Sequence, residues 1–372
     1  MHSSFVFVLL ASSVCSVLAG PVDGRIPITK RAGPVKANSY IIKLKDGVSK
    51  PAHLAGLLSG SKVAYTYDRA FQGYSAQLEG KALEYIRQSK DVEYIVQDEQ
   101  VKLPGISTAD AQVSPRNSGS EESSLFKRVN GAGVDVYQID TGIYTAHTQF
   151  GGRAKWGATF GGYPNADGNG HGTALASLVV GSTYGLAKQA NITAIKCFGD
   201  DGSANLSDII QGINWVITTA PPTGRPCIIS LTVTISGYQP FDTAVTNAIN
   251  AGIHVVVAAG DQNVDASTIS PARVVAAVTV GAVAANGNKL STSNFGSVVD
   301  VWGPGKNVPV AWITSPSAAV NLVGTTASAA SNVAGILAVA IDNHGNKSPA
   351  ALQADLKSNA QTVNGFLIPK VW

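Results

Sequence analysis

Two segments of the chain combine residue types that can move protons. The first, Val136-Tyr137-Gln138-Ile139-Asp140-Thr141-Gly142-Ile143, is an apolar run that ends on a carboxylate, Asp140, with a glycine close behind it. The second, Asp167-Gly168-Asn169-Gly170-His171-Gly172-Thr173, sets an imidazole, His171, at the start of an apolar helical stretch. A strand-ending aspartate by itself is usually a turn or cap residue, and a lone histidine is usually structural. In this order and setting the two form a carboxylate and imidazole pair, the components of general acid–base chemistry. In open α/β sheets the ligand crevice lies outside the carboxyl ends of the strands, which is where Asp140 is delivered. The chain contains no His-Glu-x-x-His, phosphate-binding loop or dinucleotide fingerprint.

Such a pair needs elements to hold it. From Val134 onward, apolar runs at 134–139, 192–198, 227–233 and 254–259 alternate with helical patterns near 171–180, 206–220, 241–251, 328–340 and 349–358. Runs that are continuously apolar mark strands buried on both faces. The expected fold class is therefore α/β, a parallel sheet with helices on both faces. Ahead of it, residues 38–103 read as strand 40–45, helix 51–58, strands 62–67 and 71–78, helix 81–88 and strand 92–98. That β-α-β-β-α-β order is the pattern of a small α+β ferredoxin-like unit. Residues 104–125 form a linker, because 107–124 is rich in Ser, Asp, Glu, Gly and Asn without apolar periodicity, and 126–372 is the main domain.

With 372 residues, 45% of them hydrophobic and 14% charged, the chain suits a well-buried globular protein. Residues 1–20 have a polar start, an apolar stretch and small residues near the end, the pattern of a signal peptide, so the protein is expected to be secreted. No later stretch approaches the roughly 20 apolar residues needed to span a bilayer, and no membrane partner is expected. The net charge is +3, but it is concentrated early: residues 107–372 hold 14 Lys+Arg against 15 Asp+Glu, which argues against nucleic acid as a partner. Cys15 leaves with the signal. Cys197 and Cys227 fall at a carboxyl and an amino strand end. If those strands are parallel neighbours the thiols are too far apart to bridge, and two free buried thiols are expected. Asn191, Asn205 and Asn346 each head an Asn-x-Ser/Thr triplet and are glycosylation candidates. Lys30-Arg31 and Lys127-Arg128 are dibasic pairs that a protease of the secretory pathway could cut.

The ordered Asp-Thr-Gly and His-Gly-Thr motifs resemble those of the subtilisin-like serine proteases (peptidase S8), in particular the secreted fungal enzymes of the proteinase K kind. Further matches are Ala146-His147, Gly152-Arg153, Thr183-Tyr184-Gly185-Leu186-Ala187-Lys188, Ser270-Pro271-Ala272 and Ser293-Asn294-Phe295-Gly296-Ser297. Residues 38–103 resemble the inhibitor I9-type propeptide of that family, down to Val92-Glu93-Tyr94-Ile95-Val96-Gln97-Asp98. The resemblance implies a zymogen and casts Asp140 as the acid that orients the imidazole and His171 as the general base. It also implies the chain's own propeptide as a partner. No cofactor is required, and calcium is implied only as a structural ion, at Asp300.

Three departures bear on activity. The family's nucleophile motif Gly-Thr-Ser-Met-Ala-x-Pro-His-Val-Ala-Gly is replaced by Gly324-Thr325-Thr326-Ala327-Ser328-Ala329-Ala330-Ser331-Asn332-Val333-Ala334-Gly335, one residue longer. Alignment from the left puts Thr326 at the serine; alignment from the right puts Ala327 there, with Ser328 one position late. One residue at a helix start turns a side chain by about 100°. Second, Asp261 stands where the family has the asparagine that donates to the oxyanion, and an ionised carboxylate there repels that charge; a protonated one could donate. Third, Thr232, Val233 and Thr234 replace the glycine-containing substrate edge, where β-branched side chains are expected to obstruct a peptide backbone. Ala174-Leu175-Ala176-Ser177 after the histidine motif also deviates.

Three functions follow as expectations. The first is a secreted serine endopeptidase homologue with lost or much reduced proteolysis, binding a peptide, protein or small molecule in its cleft as a monomer. The second is an active endopeptidase that uses Thr326 or Ser328. The third is an acid–base catalyst that acts on a small molecule through Asp140 and His171.

Overall fold

The computed structural model describes residues 24–103 and 130–372. The signal segment 1–20, the linker 104–125 and the pair Lys127-Arg128 lie outside the described residues. In the amino-terminal unit the elements are β1 (Ile28–Thr29), β2 (Val35–Leu44), α1 (Lys50–Ala55), β3 (Lys62–Tyr67), β4 (Gly73–Gln77), α2 (Gly80–Gln88) and β5 (Val92–Lys102). Strands β5-β2-β4-β3 lie side by side and antiparallel, with β1 added parallel to β5. This is the ferredoxin-like arrangement expected from the sequence. Strand alternation splits the unit's apolar residues between two faces. Ile42, Tyr74, Ile86 and Ile95 form its own core, while Ile41, Tyr67, Phe71 and Val96 join the core of the second unit. Helix α1 stops at Ala55 rather than at 58, where the Gly56 N–H bonds back to the last turn, and Ser49 caps its start. Strand β5 extends four residues past Asp98 because its end finds a strand partner in the second unit.

The second unit runs β6 (Asp135–Asp140), β7 (Ala154–Thr159), α3 (His171–Val180), β8 (Asn191–Lys196), β9 (Ser203–Asn205), α4 (Leu206–Thr219), β10 (Cys227–Leu231), β11 (Ile235–Ser236), α5 (Gln239–Asn250), β12 (His254–Ala258), β13 (Ile269–Ser270) and β14 (Val278–Val283). It continues with β15 (Val301–Pro304), β16 (Val308–Ala311), β17 (Ala319–Leu322), α6 (Thr326–His344), α7 (Pro349–Ser358), β18 (Gln361–Val363) and β19 (Phe366–Ile368). Seven strands form one parallel sheet in the order β15-β14-β12-β10-β6-β8-β7. Every residue of β10, β12 and β14 is buried, as strands covered on both faces must be. Helices α4 and α5 and the amino-terminal unit cover one face; α3, α6 and α7 cover the other.

Strands β7, β14 and β15 add to the four apolar runs expected. The first is an edge strand without an apolar run, the second is interrupted by Thr279 and Gly281, and the third has only four residues. Helix α6 begins at Thr326, two residues before the expected start, because the Thr325 side chain caps it.

Strand order explains where the site lies. From β8 the chain crosses to β10 on the other side of β6, so the direction of winding reverses at β6 and a crevice opens beyond its carboxyl end. Asp140 is that end. The same order sets the cysteines apart: Cys197 follows β8 and Cys227 opens β10, and β6 lies between those two strands. Both thiols are free and buried. Burial, with the nearby Asp135 charge, pushes Cys227 up to about 12, and burial raises Cys197 well above the usual thiol range.

Candidate active site

Asp140 and His171 meet where β6 ends and α3 begins. His171 Nδ1–H donates to the Asp140 carboxylate at 2.7 and 2.9 Å, and both side chains are buried. The Thr141 N–H donates to Asp140 Oδ1 at 2.7 Å. Beneath them Asp167, also buried, accepts from Thr141 Oγ1 (2.8 Å), Gly170 N (2.9 Å), Thr173 N (2.9 Å) and Thr173 Oγ1 (2.6 Å), which fixes the loop that leads into α3. Glycine is required twice here. Gly170, just before the helix, has φ +96° and sits against Trp312, whose ring a Cβ would meet at 2.8 Å. On Gly172 a Cβ would lie 1.9 Å from the Gly142 carbonyl oxygen. Gln138 Nε2 donates to the Gly172 carbonyl at 2.7 Å, and the fully buried Lys196 Nζ donates to the Thr141 carbonyl at 2.7 Å and to Asp200 at 2.8 Å.

Burial works against the charged imidazole of His171, but the charge and hydrogen bond of Asp140, with the Asp167 charge behind them, outweigh it and raise the pKa above the ordinary histidine value. The ring is therefore held as imidazolium further up the pH scale than a free histidine. No described residue hydrogen-bonds its Nε2. The dyad is a rigid unit that can hold or pass a proton at that atom.

The opposite wall is built from the β12 end and the α6 start, and its polar groups point at one another. Thr326 is fully buried; its hydroxyl donates to Asp261 Oδ2 at 2.9 Å and accepts from the Gly260 N–H at 3.1 Å. The Thr326 N–H donates to Asp261 Oδ1, also at 2.9 Å. Asp261 thus accepts from a free N–H at the helix start, the position where an anion or oxyanion would otherwise bind. It does not donate into the cleft. Burial raises its pKa, and the two Thr326 hydrogen bonds pull the other way. Ser328, fully buried, lies 3.1 Å from Thr325 Oγ1, and its N–H donates to that same oxygen at 3.2 Å, so it belongs to the helix cap. Ala327 packs in an apolar cluster with Leu175, Val310 and Leu322, with Trp312 against it. Neither Thr326 nor Ser328 is hydrogen-bonded to His171.

At the substrate edge, Thr232 turns toward the dyad, with its hydroxyl 3.5 Å from Asp140 Oδ2. Val233 is buried, in the apolar cluster that also holds Val101 and Leu103 of β5. Thr234 is half-buried, and its hydroxyl lies 3.3 Å from where a Cβ on Gly260 would stand. The end of β5 runs antiparallel to β9, with Gln100 opposite Asn205, Val101 opposite Ala204, Lys102 opposite Ser203, and the Leu103 N–H bonded to the Gly202 carbonyl at 2.9 Å.

The donors around Asp300 do not suit calcium. Lys357 Nζ stands 3.0 Å from Oδ1, while Oδ2 accepts from Gln353 Nε2 (2.9 Å) and the Thr279 N–H (3.0 Å). An ammonium ion already fills the place a hard cation would take, and no second carboxylate joins Asp300; no cluster of three metal-ligating side chains occurs among the described residues.

The supporting residues Asp167, Lys196, Gln138 and Trp312 did not figure among the candidates read from sequence. Asp167 lies within the histidine motif itself, and Lys196 is a charge inside an apolar run, so both carried a signal. Trp312 reaches the site from the distant β16–β17 hairpin and carried none.

With this geometry in view, family models match the chain twice: the subtilase family over residues 131–369 and peptidase inhibitor I9 over residues 39–104. Subtilisin-like protease 2 of Pseudogymnoascus destructans is 36% identical over 340 residues, covering 86% of this chain and 84% of that protein. The cuticle-degrading protease of Metarhizium anisopliae is 33% identical over 376 residues, covering 97% and 95%. Among solved structures, a cold-adapted subtilisin-like serine proteinase superposes with a TM-score of 0.60 at 33% identity, covering 65% of this chain and 89% of its own. The chain belongs to the subtilase family and carries an amino-terminal inhibitor I9 domain.

Proposed function

We propose that this protein is a secreted subtilase homologue that has lost peptide-bond hydrolysis and uses its cleft to bind rather than to cut. The observation that carries the reading is the closure of Thr326 on Asp261. The one hydroxyl that left-hand alignment offers as nucleophile donates its hydrogen bond to a carboxylate other than Asp140 and is buried away from solvent. In that same alignment the N–H that would stabilise an oxyanion, that of Thr326, is satisfied by the same carboxylate. Removing one oxyanion donor alone costs about 10² to 10³ in rate. Pure protein should show no casein turnover above that of His171→Ala and no fluorophosphonate labelling at Thr326 or Ser328. Labelling at either hydroxyl that disappears in His171→Ala would establish the active-endopeptidase alternative.

The intact dyad favours a second reading, proton transfer on a small molecule, since His171 Nε2 is the one dyad atom without a hydrogen bond to the described residues. It requires a non-proteolytic conversion that His171→Ala abolishes. Asp300 serves as an ion-pair anchor between α7 and the sheet, so chelation with EDTA should leave Tm unchanged.

Among the glycosylation candidates, Asn346 is the one supported by its surroundings. It is exposed on the loop between α6 and α7, only its Oδ1 is engaged, by His254 Nε2 at 2.9 Å, and its Nδ2 is free. Asn191 and Asn205 are half-buried and donate through Nδ2 to Asp135 and Asp208. The mass lost on deglycosylation should vanish in Asn346→Gln alone.

A further inference from the structure

The seam between the two units contains a feature that the pairing of β5 with β9 does not require. Strand β1 lies at the outer edge of the inhibitor domain, with Ile28 opposite Ile95 and Thr29 opposite Val96. Directly after it comes the dibasic pair Lys30-Arg31. The Arg31 N–H donates to Gln97 Oε1 at 2.9 Å, which continues the attachment of this segment to β5. Its guanidinium then crosses into the subtilase domain. Nη1 donates to the Gly237 carbonyl at 2.9 Å and Nη2 to the Ser236 carbonyl at 2.8 Å, while Nε meets the Glu99 carboxylate. The group lies 4.9 Å from the centre of the Tyr238 ring, and Tyr238 in turn donates its hydroxyl to the Gln97 carbonyl at 2.7 Å.

The Arg31 and Glu99 side chains are 14% and 8% exposed, so this is a charge pair largely withdrawn from water. Both charges belong to the inhibitor domain, so withdrawing it would keep the pair together but strip the guanidinium of the Ser236 and Gly237 carbonyls and the Tyr238 ring, and leave those two carbonyls without their donor. The rest of the seam is equally committed. Asp98, fully buried, accepts from Ser207 N (3.0 Å) and Ser207 Oγ (2.7 Å) at the start of α4. Asn214 Oδ1 accepts from three consecutive N–H groups, those of Asp68, Arg69 and Ala70. Tyr67, Phe71, Val101 and Leu103 belong to one continuous apolar cluster with Ile209, Ile213 and Tyr238.

We propose that the inhibitor domain is a permanent subunit of the secreted protein, strapped on by residues 28–31 with Arg31 as the pin, and that it stays bound whether or not the chain is cut between the two units. Lys30-Arg31 is then a clamp rather than a processing site, since an arginine held by four partners cannot enter the pocket of a dibasic-cutting protease. This rests on the reading that the chain does not process itself.

The test uses the full chain, secreted with a carboxyl-terminal tag and examined by size exclusion and by mass under denaturing conditions. One copy of the inhibitor domain, including β1, should accompany each subtilase domain, as one chain or as two. A site for an orthogonal protease placed within residues 107–124 then allows a deliberate cut. After cutting and dilution, Arg31→Ala should release the inhibitor domain at least about tenfold faster than the parent, and Lys30→Ala at the parental rate. If Arg31→Ala is not secreted, Arg31→Lys gives the same readout, because it keeps the charge but loses the fork. Equal release rates in the arginine variants and the parent would remove the pin. Recovery of the subtilase domain alone, in wild type and His171→Ala alike, would overturn permanence and leave the proposed loss of activity standing. Recovery of it alone in wild type but not in His171→Ala would show self-processing and overturn both.

Discussion

The half of the cleft built by β6 and α3 and the half built by the β12 end and the α6 start use similar groups to opposite ends. In the first, Asp167, Thr141, Gln138 and Lys196 satisfy the backbone from behind, so the dyad stays oriented and His171 Nε2 is left without a partner among the described residues. In the second, Thr326, Asp261 and Gly260 satisfy one another, so the Thr326 hydroxyl and N–H are already engaged within the protein. A helix start always presents unpaired N–H groups, and a family member that binds an oxyanion keeps one of them waiting for substrate. Here an internal carboxylate has taken that place. One half therefore keeps its preorganisation, while the other has become a closed piece of structure.

If that contrast holds, the first half should be intolerant of change. Asp167→Ala removes the acceptor of several buried N–H and O–H donors and should destabilise the protein by about 3 kcal/mol, measured by denaturant unfolding. Gly172→Ala forces a Cβ onto the Gly142 carbonyl and should cost about 2 kcal/mol. A loss in either variant no larger than at an exposed surface position would mean that the dyad is not held as described. His171→Gln tests the same half through pH. Because the folded pKa of His171 is raised, the stabilisation from its pairing with Asp140 is complete below the ordinary histidine value of 6.5 and is lost as pH rises through the folded value. The Tm gap between wild type and His171→Gln should therefore shrink from mildly acidic to alkaline pH; a constant gap would contradict the pairing.

The dyad was legible because each of its members sits at the end of a strongly patterned element, Asp140 closing an apolar strand and His171 opening an apolar helix. The fold was legible for the same reason, the central strands β10 and β12 being apolar apart from Ser230 and His254. Edge strand β7 and the short β15 escaped because an edge or a four-residue strand needs no apolar run. The altered half could be seen as a departure from a motif but not as a structure. Whether Asp261 would donate, repel or cap depended on where Thr326 lay, and that is a contact between residues 65 positions apart.

The smallest effect belongs to Asp261→Asn. Asparagine keeps the shape, can accept from the Thr326 N–H and can bond the Thr326 hydroxyl, so the closure survives. What is lost is the interaction of a carboxylate with a helix start, worth about 0.3–1 kcal/mol, offset by relief from burying a charge. The net change at neutral pH should lie within about 1 kcal/mol, against the larger losses predicted for Asp167→Ala and Gly172→Ala. The sign of its pH dependence is also set. Burial raises the folded pKa of Asp261, so the folded state binds its proton more tightly than the unfolded chain does, and wild type loses stability relative to Asp261→Asn as pH rises from the ordinary carboxylate range through that raised value. His171 loses its contribution with rising pH too, but from 6.5 upward, so the two windows separate the halves in one titration of Tm. A wild type that instead gains on Asp261→Asn across the acidic window would show the carboxylate to be stabilised chiefly by its Thr326 hydrogen bonds, and the second half to be as tightly built around its charge as the first is around the dyad.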